Sequence, residues 1–248
     1  MTLLRLEWLR LVRTRRLPAL IGVYLFFGLI GPLTARYIGD IVERFGGEVT
    51  VIFPDPVPAD GIAQYVSNAS QIGVLVAVAV AAGALTLDAL PEMSIFLRTR
   101  VRPVARLVLP RFTMAVAAAA GAYLLGLLAA WYETVVLLGS LPVGRLLGGL
   151  AFGILYLGFA IAVVAAAGAR LRSVIGTVGL SVAVLVVMPV LAVIDAVGRW
   201  LPSHLVGAQV GLLEGASFVD YLPAAAVALV TGGLLVTMAL RRAEIAEL

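Results

Sequence analysis

Apolar and charged positions are sorted into blocks along this sequence. Six runs, Leu17 to Thr34, Asn68 to Leu87, Phe112 to Tyr132, Leu146 to Ala169, Ser173 to Ile194 and Tyr221 to Leu240, contain no Asp, Glu, Lys or Arg. Each is close to the roughly 20 residues that an α-helix needs to cross the hydrocarbon of a bilayer. The pattern predicts an all-α, polytopic membrane protein with six transmembrane helices, a single membrane domain over residues 17–248. Pro18 falls in the first turn of the first run, where it is tolerated. Pro189 predicts a kink in the fifth.

The residues before the first run follow a different rule. In TLLRLEWLRLVRTRR, Thr2 to Arg16, helical spacing gathers Leu4, Trp8, Leu11 and Val12 on one side and Glu7, Arg10, Arg13 and Thr14 on the other. A basic face opposite Trp and Leu suits a helix lying in the headgroup plane, so residues 1–16 are read as an interfacial elbow helix. A signal peptide is the competing reading, but no small-residue cleavage site follows the apolar run. Ala35 to Ser67 is polar and net acidic. Its proline-rich run, Phe53 to Gly61, is expected to lack regular structure on the external side. Asp195 to Asp220 is apolar yet broken by Pro202, Gly207, Gly211 and Gly215, which predicts short helices dipping into the outer leaflet.

Between the second and third runs lies an island of charge, Pro91 to Arg111, with five arginines: Arg98, Arg100, Arg102, Arg106 and Arg111. Each would cost roughly 2.5 kcal/mol or more at a bilayer centre, so the island belongs at a membrane face. Pro103 biases Arg102 away from helix, giving a short helix over Met93 to Thr99, a break, and a second segment entering the third span. A connecting loop carrying topology signals alone is the plainer reading. Fourteen of the eighteen arginines fall on the side of this island. By the positive-inside rule that side is cytoplasmic, and an even number of spans places both termini there.

Composition narrows the chemistry. At 62% hydrophobic, 13% charged and a mean hydropathy of +1.09, the chain leaves no room for a sizeable soluble domain, so any nucleotide chemistry must come from another subunit. Cysteine is absent, which removes disulfides and thiol chemistry; lysine is absent too, which removes a P-loop and every lysine dyad. Arginine in place of lysine, with abundant alanine, fits a GC-rich bacterial genome. The net charge of +4 does not imply nucleic-acid binding, because the arginines spread over one membrane face. No catalytic motif occurs, and the lone His204 is expected to be solvated in an external loop. Asp88, Glu133 and Asp195 lie at span ends, unlike the midplane acids of proton-coupled carriers, and no internal repeat is evident. Glu133 and Arg145 are candidates for an exposed ion pair worth about 0 to 1 kcal/mol. Small residues predict close helix approach at Ala115 to Gly121, with Ala117 and Gly121 singled out, and at Gly149 and Gly153.

This layout resembles the membrane subunit of type-2 ABC exporters, the drug, lipid and polysaccharide export class, over essentially the whole chain. The resemblance is carried by Glu7-Trp8-Leu9-Arg10 in the entry helix, by the island, and by Trp200-Leu201-Pro202-Ser203 before the last span. Within the island, Glu92 followed by Arg102-Pro103-Val104-Ala105-Arg106 is similar to the family's acid, variable stretch, then Pro-Val-x-Arg. Met93, Ser94 and Ile95 replace the small residues that usually follow the acid.

The resemblance implies that residues 90–111 form a coupling loop in which Glu92, Arg98, Arg102, Pro103 and Arg106 meet a groove of a separate ATPase. Two ATPase copies and a second permease subunit, identical or homologous, would complete the exporter in a bacterial cytoplasmic membrane. ATP and Mg would then sit on the partner, with no catalytic residue, metal or cofactor on this chain. Spans of Ala, Val, Leu and Gly suit a hydrophobic or amphiphilic cargo such as a lipid, a drug-like compound or a lipophilic peptide. A non-transporting membrane protein of similar fold, an immunity or sensor subunit, is the second reading. An intramembrane enzyme is the third, and no catalytic set supports it.

Overall fold

The computed structural model describes residues 3–45, 55–86, 105–171 and 173–245, and among them every regular element is helical. The entry helix α1 (Leu3–Arg13) is followed by α2 (Arg16–Phe45), α3 (Pro58–Asn68), a π-helical turn (Ala69–Gly73) and α4 (Val74–Leu85). Then come α5 (Ala105–Leu137), α6 (Val143–Gly168) and α7 (Val174–Leu191). The broken segment holds α8 (Asp195–Gly198), a 3-10 turn (Pro202–Val206), α9 (Ala208–Glu214) and a second 3-10 turn (Phe218–Tyr221), before α10 (Leu222–Ile245). Six helical stretches are long and apolar enough to cross a membrane, with α3 and α4 forming one continuous span from Pro58 to Leu85. The protein is an all-α, multi-pass membrane protein.

Three spans outrun the apolar runs that announce them. Helix α2 continues through Arg36 and Asp40 to Phe45, so the first part of the expected external segment is helical. Its wall is shared with the next span: a Cβ at Gly31 would lie 2.9 Å from the Tyr65 nitrogen. The proline-rich run ends by starting a helix. Pro58 occupies the first turn, where a missing N–H costs nothing, and the Asp60 carboxylate accepts the Val57 N–H at 2.8 Å. Ile62, Tyr65 and Val66 are then buried, which is why this stretch joins the second span instead of remaining in water. Helix α5 begins at Ala105 and runs for 33 residues, about 50 Å. Arg106 and Arg111 therefore belong to the third span's first turns and not to a loop.

Helix α6 is the central post. Some 72% of its apolar window is buried, against 17% for α7 and 28% for α10, which stand at the periphery. On the other side α2 and α5 cross at two glycines. A Cβ at Gly126 would sit 2.5 Å from the Tyr24 carbonyl oxygen, and one at Gly28 would overlap the Gly126 carbonyl. With no solvent-driven attraction between helices inside a bilayer, such backbone approach is what gives dispersion contacts their reach. Replacing Gly126 by Val should cost at least about 1–3 kcal/mol through overpacking, read as a lower melting temperature in detergent. Gly121→Val, at a position with no atom within 4 Å of the added Cβ, should melt like the wild type.

Candidate functional site

The end of the molecule that carries α1 gathers charge around the C-terminus of α4. A helix C-terminus leaves carbonyls without partners and holds partial negative charge, so it attracts cations. Two guanidinium groups answer it. Arg10 Nη2 of α1 donates to the Gly83 carbonyl at 3.1 Å, and Arg111 Nη1 of α5 donates to the Ala84 carbonyl at 3.3 Å. A third, Arg16, lies over Gly83, with Nη1 2.7 Å from where a Cβ would stand. Glu7 supplies the compensating charge: its Oε1 is 3.0 Å from Arg111 Nε and its Oε2 is 3.5 Å from Arg10 Nη1. The Glu7 and Arg111 side chains are only 15% and 12% exposed, so this pair is largely removed from solvent.

One consequence concerns α1. Glu7 and Arg10 turn toward the bundle, whereas Leu4, Trp8 and Val12 are 48%, 45% and 40% exposed, and Leu11 alone is buried. The faces match the predicted ones only in part: Leu11 of the apolar side turns inward, and Arg13 and Thr14 of the polar side are exposed. Glu7 and Arg10 are held by α4 and α5, and Leu4, Trp8 and Val12 are left outward.

The same corner includes the buried Thr86 hydroxyl, which donates to the Thr177 hydroxyl of α7 at 3.1 Å. Thr177 in turn donates to the Ser173 carbonyl at 3.0 Å, and Ser173 accepts the Gly176 N–H to cap α7. Residues 84 to 86 of the second span are thus bonded to the third span and the fifth. Glu92, Arg98, Arg102 and Pro103 lie outside the described residues; Arg106 lies in the first turn of α5.

The small-residue candidates divide. A Cβ at Gly149 would lie 2.5 Å from Cα of Gln209 in α9, and one at Gly153 would lie 2.7 Å from the Tyr123 ring in α5. Ala117 is exposed and Gly121 meets no neighbour, so the close approach expected of them falls elsewhere on α5. Ala115, Ala118, Ala119 and Ala122 are the buried positions, one helical phase away.

A polar thread crosses the apolar interior. Tyr65 of α3 donates its hydroxyl to the Tyr123 carbonyl at 2.7 Å and stacks on that ring with centroids 5.6 Å apart. Tyr24 of α2 meets the Tyr123 ring edge-on at 5.8 Å. The Tyr123 hydroxyl donates to Gln209 Oε1 of α9, drawing the broken segment into the bundle. Pro202, Ser203, Leu205, Ala208 and Leu212 are buried alongside. His204 is not a solvated loop residue: it is half-buried with its ring stacked on Tyr221 at 4.9 Å. Arg145 does not pair with Glu133. Its Nη1 donates to the Leu212 carbonyl at 3.3 Å, near the C-terminus of α9, while Glu133 Oε2 is buried without a partner. Helix-end carbonyls again outcompete a distant carboxylate for a guanidinium.

Among the described residues no group of three or more His, Cys, Asp or Glu side chains could hold a metal ion. No protein-family model, no curated protein and no solved structure matches the chain.

Gln209 has no role in the sequence pattern, and nothing there pairs Glu7 with Arg111. A lone amide such as Gln209 in an apolar stretch is a signal that could have been followed. Glu7→Gln should leave the Arg111 charge without its counterion and lower stability by about 3 kcal/mol. Thermal unfolding of Glu7→Gln, Arg111→Gln and the double variant checks this, and the double variant should lose clearly less than the sum of the singles.

Proposed function

We propose that this chain is the membrane-spanning subunit of an ATP-driven exporter of the type-2 ABC class, with residues 90–111 docking on a separate ATPase. The observation that carries the reading is the clamp at the base of that loop. Arg111, where the chain returns to the bundle, donates to the Ala84 carbonyl, where it leaves, and is paired with Glu7 of the entry helix. A push on the loop therefore reaches the second span, the third span and the entry helix together. The Thr86–Thr177 bond carries it to the fifth. A loose connector would absorb such a push.

The layout supports the same reading: an entry helix held against the basic end, six spans, and a broken segment folded into the bundle before the last. In this reading the arginine-rich end faces the cytoplasm of a bacterial cell, both termini lie there, and ATP and Mg are bound by two ATPase copies. A second permease subunit, identical or homologous, completes the path. The cargo is hydrophobic or amphiphilic, because the outward faces of the spans offer aliphatic side chains and few polar ones.

Reversing Arg98 and Arg106 to Glu should weaken copurification with the partner ATPase while membrane insertion is unchanged. Full copurification together with full substrate-stimulated ATP hydrolysis in that double variant would overturn the proposal. Orientation has its own check, made clean by the absence of native cysteine. A membrane-impermeant thiol reagent added to intact cells should leave Arg13→Cys unmodified.

A further inference from the structure

A groove of about 600 Å³ lies between α6, α7 and α10. Its two long walls follow the same arithmetic. On α6, Phe159, Val163 and Ala167 line it, with Arg170 in the turn just past the helix end, and on α10, Val227, Thr231, Leu234 and Met238 do so. Spacings of three and four residues make each set a straight stripe along its helix. The α10 stripe covers twelve residues, a rise of about 17 Å, which is close to half of a hydrocarbon core about 30 Å thick, and the α6 stripe runs beside it to the end of that helix. The groove has the depth of one leaflet.

Its two ends differ in chemistry. Leu201 and Pro202 of the broken segment close one end with apolar surface. At the other the exposed Arg170 lines the groove from the turn that follows α6, and the α10 stripe continues one turn past Met238 to the exposed Arg242. Two guanidinium groups therefore stand where the two walls reach the headgroup level. Between the ends the one side-chain hydroxyl, that of Thr231, donates to the Val227 carbonyl at 2.6 Å and demands nothing from an occupant. Aliphatic walls of one-leaflet depth exclude a charged or strongly hydrated ligand along their length, and the paired cations at the mouth favour an anion there.

We propose that this groove is a binding site for an anionic phospholipid of the leaflet on the arginine-rich side. One acyl chain lies along the α6 and α10 stripes with its end against Leu201 and Pro202, and the phosphate meets Arg170 and Arg242. The lipid fills the gap that leaves α7 and α10 poorly buried, so it acts as a resident part of the fold. This inference needs no ATPase and stands or falls apart from the exporter reading.

The test uses the full chain reconstituted in vesicles doped with phosphatidylglycerol or phosphatidylcholine bearing a photoactivatable diazirine near the acyl terminus. Phosphatidylglycerol should label the peptides spanning residues 159–170 and 227–238 about tenfold more than phosphatidylcholine does. Arg170→Gln with Arg242→Gln, both at exposed positions, should bring the two lipids to near-equal labelling. Ala167→Trp should reduce labelling of those peptides by both lipids. Equal labelling of the wild-type groove by the two lipids would overturn the proposal, as would labelling confined to other faces. Efficient disulfide formation between copies of Val184→Cys would overturn it too, since a second copy of the chain would then cover the groove.

Discussion

A guanidinium group at a membrane boundary must find acceptors for its donors, and Arg111 finds them in two places at once. The exposed carbonyls at the end of the second span take one N–H, and the Glu7 carboxylate takes another. Much of the architecture at that end follows. The entry helix cannot drift along the surface, because its one acid is held by Arg111 and its Arg10 by Gly83. The C-terminus of α4 and the start of α5 are held together by the Arg111–Ala84 bond. Three cations near one carboxylate would repel one another in isolation; the C-terminal dipole of α4 supplies the remaining negative potential.

The interior obeys the same need for partners in a less forgiving medium. Tyr65, Tyr123 and Gln209 are nearly or fully buried and bring polar atoms to a place with no water to solvate them. Their chain of bonds runs from the second span through the third to the broken segment, and it specifies which surfaces meet where apolar packing alone would not. Gly149 and Gly153 of α6 let this happen, one by admitting the α9 backbone and the other by admitting the Tyr123 ring.

Six spans, the entry helix and the short helices before the last span were legible because each depends on local pattern: length of apolar run, helical phase, and breakers. Helix ends were not. Ala35 to Phe45 and Pro58 to Ser67 look polar by composition, yet both are helical, the second with Ile62, Tyr65 and Val66 buried. Ala117 and Gly121 share the composition of Ala118 and Ala122 but point the other way, and phase within an all-small stretch cannot be read without a partner. The Glu7–Arg111 pair joins positions 104 residues apart, and Gln209 meets Tyr123 across 86. Such pairings arise from the fold and have no signature in one sequence.

The π-helical turn at Ala69 to Gly73 bears on how this chain can vary. It accommodates one more residue than a regular helix would, and so turns α3 by about 100° relative to α4 about the common axis. Tyr65 above it and Val78 below it are both buried. Deleting a single residue between Asn68 and Val74 would therefore restore a regular helix and leave Tyr65 and the buried face of α4 in the phases they now hold, whereas a deletion within α3 or α4 proper would rotate one half of the span by about 100° against the other. The turn is thus a place where the second span can absorb a change of length.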